Sequence, residues 1–138
     1  MTNKHTIVAV KGLIVHNNKI LLMQRSNSDP INPGIWEFAG GSVEFGETLD
    51  NALIREVQEE TGLTIQIKKL LYADASLIRE DRYAVVLCYH CITSQNEVAL
   101  SFEHKNYLWA SKEEALQMLY PPIANNLIKY NVFNLVFQ

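Results

Sequence analysis

Gly41-Ser42-Val43-Glu44-Phe45-Gly46-Glu47-Thr48-Leu49-Asp50-Asn51-Ala52-Leu53-Ile54-Arg55-Glu56-Val57-Gln58-Glu59-Glu60-Thr61-Gly62-Leu63 places acidic residues where a helix of a globular protein should be apolar. The spacing predicts a helix from about Thr48 to Thr61, ended by Gly62, the residue type that tolerates the left-handed conformation after a last turn. Leu49, Ala52, Leu53 and Val57 then form a core-facing stripe. At roughly 100° per residue, Glu56, Glu59 and Glu60 fall within an arc of about 100° that overlaps this stripe. Like charges held that close at a partly buried site repel, and each resists desolvation. A divalent cation removes both problems, and carboxylates are the hard oxygen ligands that Mg²⁺ or Mn²⁺ prefers. The competing reading of such a run is a solvated acidic face.

The surrounding residues decide between the two. Gly41, five residues, Glu47, seven residues, Arg55-Glu56-Val57, one residue, Glu59-Glu60, one residue and Gly62-Leu63 together resemble the signature of the Nudix hydrolases without a mismatch. Seven fixed residue types, each at a background frequency of about 5 to 7%, coincide by chance on the order of once in a million chains of this size.

The rest of the chain suits a single domain spanning 1–138. A length of 138 residues is enough to bury a core, and 48% hydrophobic residues, 20% charged residues and a net charge of −3 describe an ordinary globular chain with no basic field for a nucleic acid polymer. No apolar run approaches the roughly 20 residues needed to span a bilayer, and Met1-Thr2-Asn3-Lys4-His5 leads into a strand pattern without a secretory segment, so a cytoplasmic protein without a membrane partner is expected. Cys88-Tyr89-His90-Cys91 has C-x-x-C spacing. It lacks a second pair and lies in a strand-forming run where residues three apart point to opposite faces, so core or surface cysteines are expected.

Thr6 to His16 and Lys19 to Gln24 read as strands joined at Asn17-Asn18. Ser26 to Gly34 is a loop, and Trp36 to Phe38 and Ser42 to Phe45 are short extended pieces flanking Gly40-Gly41. Thr64 to Leu77 and Tyr83 to Thr93 read as strands separated by the turn Arg79-Glu80-Asp81-Arg82, and Asn106 to Ala110 as a last strand. Ser111 and Glu114 form a capping box before a short helix, and Pro121-Pro122 open a C-terminal helix with Ala124, Leu127, Ile128 and Leu135 on one face. Pattern alone gives an α+β domain with a mixed sheet and helices on its two sides. The resemblance implies the Nudix α/β/α sandwich.

What the resemblance implies for chemistry is attack of water on a phosphoanhydride, which requires charge neutralisation at the phosphate oxygens, an aligned water and a base. By that similarity Glu56, Glu59, Glu60 and the main-chain carbonyl of Gly40 are the metal ligands. Arg55 resembles the family's arginine that orients a glutamate, and Glu47 supports the helix start or the ligands. The base is either Glu56 or the loop residue Glu103, with Glu97 a weaker candidate, and Glu44 is a further possible ligand. Gly41 permits close approach of backbone and phosphate. Arg25 matches a position that contacts substrate phosphate in related enzymes.

Trp36 to Thr48 resembles the MutT branch, which hydrolyses nucleoside triphosphates, including oxidised ones, to monophosphate and pyrophosphate. Ala39 stands where proline is usual. Pro121-Pro122-Ile123-Ala124-Asn125-Asn126 is similar to a segment of that branch in which an asparagine after two prolines reads the base, with one extra residue, so either Asn125 or Asn126 is the candidate. Phe38 stacks the base if its ring faces the pocket, packs in the core, or does both. The expected substrate is a small nucleotide. A nucleoside triphosphate comes first, ADP-ribose, a nucleotide sugar or a dinucleoside polyphosphate second, and a non-catalytic nucleotide-binding module last, since no helix glutamate is missing. The sequence carries no signal for oligomeric state.

Overall fold

In the computed structural model, which describes residues 3–137, the acidic helix lies against one face of a seven-stranded mixed sheet. The strands are β1 (His5–His16), β2 (Lys19–Arg25), β3 (Trp36–Glu37), β4 (Ala39–Ser42), β5 (Gln66–Arg79), β6 (Arg82–Ile92) and β7 (His104–Ala110). The helices are α1 (Leu49–Thr61), α2 (Lys112–Met118), α3 (Pro121–Lys129) and α4 (Val132–Val136).

The order β3-β2-β1-β6-β5 forms the body of the sheet, with β4 paired to β1 and β7 to β2. β1 and β6 are parallel, and the other pairs are antiparallel. The β1–β2 hairpin turns on Asn17 and Asn18, whose φ values of 50° and 62° fit the primed turn that matches strand twist.

Alternation along the strands sorts the core into two layers. Val10 and Ile14 of β1, Leu21 and Met23 of β2, and Tyr89 and Cys91 of β6 pack with Ala52, Leu53 and Val57 of α1. Leu13, Ile20, Leu22 and Cys88 face the other way, against Leu119, Ala124, Leu127 and Val132 from the C-terminal helices. This is the expected sandwich. Cys88 and Cys91 are free and buried on opposite faces of β6, and burial pushes each thiol up to about 12.

Four local readings are corrected. The extended segment runs through Gly40-Gly41 as β4 instead of flanking it, because these glycines pair with Val10 and Lys11. The turn after β5 is narrowed to residues 80–81, since Arg79 pairs with Arg82. The C-terminal helix is broken at Asn131, whose φ of 53° is left-handed, leaving Ile128 and Leu135 exposed and off the expected shared face. Leu49 lies at the rim, 36% exposed. Among the described residues no helix is long and apolar enough to cross a membrane.

Candidate functional site

Thr48 caps α1 by accepting from the Asn51 amide at 3.2 Å, and Gly62 closes it with φ 75° and an N–H to the Gln58 carbonyl. These two ends fix the rotation of the helix, and with it the three glutamates. Glu60 is 3% exposed, its Oε1 accepting from the Gly40 amide at 2.8 Å. Glu56 is half-buried beside Gly41, where a Cβ would stand 2.5 Å from the Glu56 carboxylate. Any larger residue at that position would displace the acid. At Gly40, φ is 139° and a Cβ would collide with the Val10 carbonyl. Glu59 is different, since its side chain is 59% exposed and rests on Arg55 rather than facing inward.

Arg55 joins the acids into one group. Its Nε and Nη2 donate to the two oxygens of Glu47 at 2.8 Å each, and its Nη1 donates to Glu56 at 3.1 Å and to Glu59 at 3.3 Å. Nη2 also reaches the Ser42 carbonyl, which ties the helix to the end of β4. The guanidinium holds Glu47 down to about 2. Glu44 stands 4.0 Å from Arg55 with its carboxylate largely in solvent.

Behind Gly40 lies a buried ionic cluster that the sequence reading passed over. Lys11 donates to Glu37 Oε1, the Phe38 carbonyl and the Gly40 carbonyl, each at 3.3 Å. Glu37 also accepts from Arg25 Nε and Nη2 at 2.9 Å each and pairs with His104 Nε2 at 3.0 Å. Burial opposes ionisation of Glu37, but Lys11, His104 and Arg25 outweigh it and hold the carboxyl well below the usual range. The available signal was a charged residue at the centre of each strand pattern, Lys11 within Thr6 to His16 and Glu37 between Trp36 and Phe38.

These groups border one cavity of about 520 Å³. Glu56, Glu60, Gly40 and Gly41 line one part, Lys11, Arg25, Glu37 and Glu103 adjoin it, and Tyr72, Asp74, Tyr120 and Asn126 line another. Glu59 and Glu97 are outside the lining, whereas Glu103 is exposed at the mouth and close enough to raise Glu56 and Glu60 electrostatically. Of the two candidate asparagines, Asn126 lines the cavity and Asn125 does not. Asn126 reaches Asp74 across the cavity at 3.0 Å, while Asn125 is exposed on the other side of α3, because adjacent helical residues diverge by about 100°. Phe38 lines the cavity and, at 2% exposed, packs in the core with Leu13 and Leu22.

The donor set fits a hard divalent cation. Burial pushes Glu60 up to about 8 against the attraction of Lys11, and burial also raises Glu56 against its bond to Arg55, so desolvation of two carboxylates on one cavity favours added positive charge there. Among the described residues no three histidine, cysteine or acidic side chains are gathered closely enough to cage a metal ion, and Arg55 bonds to Glu59 and to one oxygen of Glu56.

The NUDIX domain family matches residues 5–130. An ADP-ribose pyrophosphatase of Methanocaldococcus jannaschii is 45% identical over 84 residues, 59% of this chain but 47% of that protein, so the match spans about half of the relative. The nucleoside triphosphatase NudI of Escherichia coli is 30% identical over 114 residues, 74% of this chain and 79% of that one. The crystal structure of a MutT protein from Methanosarcina mazei superposes with a TM-score of 0.86 at 28% identity, covering 95% of this chain and 96% of the other.

Proposed function

The chain belongs to the Nudix hydrolase family, and on that premise we propose that it cleaves a nucleoside triphosphate to a nucleoside monophosphate and pyrophosphate with Mg²⁺ or Mn²⁺. The observation that carries this reading is a single cavity bordered by the acids of α1, by the cations Lys11 and Arg25, and by the polar pair Asp74 and Asn126. Relatedness to a nucleoside triphosphatase over most of both chains supports it. The similarity to an ADP-ribose pyrophosphatase favours ADP-ribose as the second reading, where the same anhydride chemistry would release AMP and ribose 5-phosphate.

In this reading Glu56, Glu60 and the Gly40 carbonyl would hold the cation, and Glu59, which rests on Arg55 outside the cavity lining, would join them by turning inward. When bound it neutralises the phosphate oxygens and lowers the pKa of an adjacent water. Arg55 is a positioning residue, since its contacts to Glu47, Glu56 and Glu59 fix the directions of those carboxylates. Glu103 is the base, because its carboxylate borders the cavity while Glu56 is already tied to Arg55. Water attacks phosphorus, the anhydride P–O bond breaks with its electron pair leaving on pyrophosphate, and the water proton passes to Glu103. Arg25, preset by Glu37, presents its guanidinium to a phosphate, and Asn126 faces the base.

A panel of nucleoside triphosphates and ADP-ribose, with product identification in Mg²⁺, tests this. Monophosphate and pyrophosphate are expected. AMP plus ribose 5-phosphate at a higher kcat/KM replaces the first reading with the second.

A further inference from the structure

Asp74 is not part of any motif read from the sequence, yet it stands in the cavity facing Asn126. It lies on β5 opposite Val86 of β6, which in turn pairs with Ala9 of β1, so it is two strand spacings, about 10 Å, across the sheet from the strand that carries Lys11. Among the described residues no basic side chain pairs with it. Its Oδ1 accepts from the Ala75 amide at 2.9 Å and its Oδ2 from Asn126 Nδ2 at 3.0 Å. An ionised carboxylate only accepts, so this contact settles which end of the Asn126 amide faces it. Each carboxylate oxygen keeps a further lone pair, and the second N–H and the carbonyl oxygen of Asn126 face the cavity beside the Tyr72 hydroxyl, which also contacts the amide.

We propose that Asp74 is a specificity-determining residue that selects guanine nucleotides. The inference rests on the triphosphatase reading and names the base that reading left open. A negative charge in a cavity for polyphosphate must lie away from the phosphates, and Lys11 and Arg25 border the region beside the acidic helix. The base therefore falls on the Asp74 side. Two acceptors followed by a donor, presented by the carboxylate and the remaining Asn126 N–H, complement N2–H, N1–H and O6 along the guanine edge. Adenine and cytosine each offer one donor beside a ring-nitrogen acceptor, which would face the carboxylate lone pairs. A well-formed bidentate contact of this kind discriminates by roughly tenfold or more.

The test compares GTP and ATP turnover in Mg²⁺, and GMP and AMP binding by calorimetry, for wild type, Asp74→Asn and Asp74→Ala. Asparagine at this position can accept from Asn126 or from the Ala75 amide but not from both, and it replaces one acceptor by a donor at nearly unchanged volume. The expected result is a guanine preference in wild type that falls at least about tenfold in both variants, carried by KM and by GMP affinity. A wild type without guanine preference, an unchanged GTP to ATP ratio in Asp74→Asn, or an equal loss on both nucleotides would overturn the inference. Absence of triphosphate turnover would overturn the activity reading alone. The GMP and AMP affinities would still decide the role of Asp74, and equal values would reject it.

Discussion

Replacing Glu60 by glutamine should stabilise the cation-free protein while removing its response to Mg²⁺. Glu60 is 3% exposed, and burial pushes its carboxyl from 4.5 up to about 8 despite attraction to Lys11 and the bond from the Gly40 amide. A group whose folded-state pKa is raised contributes its full stability below the unfolded value, near 4.5, and loses it as pH rises through about 8. At pH 7 the interval from 4.5 is 2.5 pH units, which at about 1.36 kcal/mol per unit is a cost of about 3 kcal/mol. Glutamine keeps the shape and still accepts from Gly40 but does not titrate. In EDTA the variant should melt about 10 °C above wild type at pH 7 and show a flatter pH dependence between about 5 and 8. Saturating Mg²⁺ should raise wild type toward the variant and leave the variant nearly unmoved. Thermal unfolding followed by circular dichroism reads this directly. A variant no more stable than wild type in EDTA across that pH range refutes the claim that Glu60 is a desolvated acid awaiting a cation.

Glu103→Gln should lower kcat by about 10²-fold or more with Mn²⁺ affinity unchanged, whereas Glu56→Gln should weaken both, and steady-state rates paired with Mn²⁺ titration separate the two. Glu59→Gln should lower kcat by at least about 10²-fold with the fold intact by circular dichroism, and unchanged turnover would remove Glu59 from the ligand set. Glu37→Gln should destabilise by about 3 kcal/mol or more in chemical denaturation, because Lys11 and Arg25 lose a shared buried partner. As the folded-state pKa of Glu37 is depressed, its contribution in wild type is complete above about 4.5 and declines as pH falls below that, a slope the variant should lack.

The acidic helix was legible because its signature is local. Glycine, glutamate and arginine at fixed offsets constrain one helix and the strand before it, and the helix ends at Gly62 as the pattern put it, with Thr48 its cap rather than its first residue. The hairpin at Asn17-Asn18 and the capping box at Ser111 were readable for the same reason. What the sequence hid depends on partners far along the chain. Glu37 meets Lys11 and His104 only after β1, β3 and β7 come together, across 26 and 67 residues. Asp74 meets Asn126 across 52 residues. The register after the two prolines left Asn125 and Asn126 equivalent, and the contact with Asp74 separates them. Periodicity likewise placed Glu59 near the inward stripe, while the attraction of Arg55 and the rim position of that turn turn its carboxylate to solvent.

The central claim is that the cavity beside α1 hydrolyses the anhydride of a nucleoside triphosphate at a cation held by the helix acids. Chromatographic identification of the products from GTP, in Mg²⁺ and again in EDTA, tests it most directly. The account predicts GMP and pyrophosphate in Mg²⁺ and no products in EDTA. GDP and orthophosphate, or equal turnover in EDTA, would contradict it.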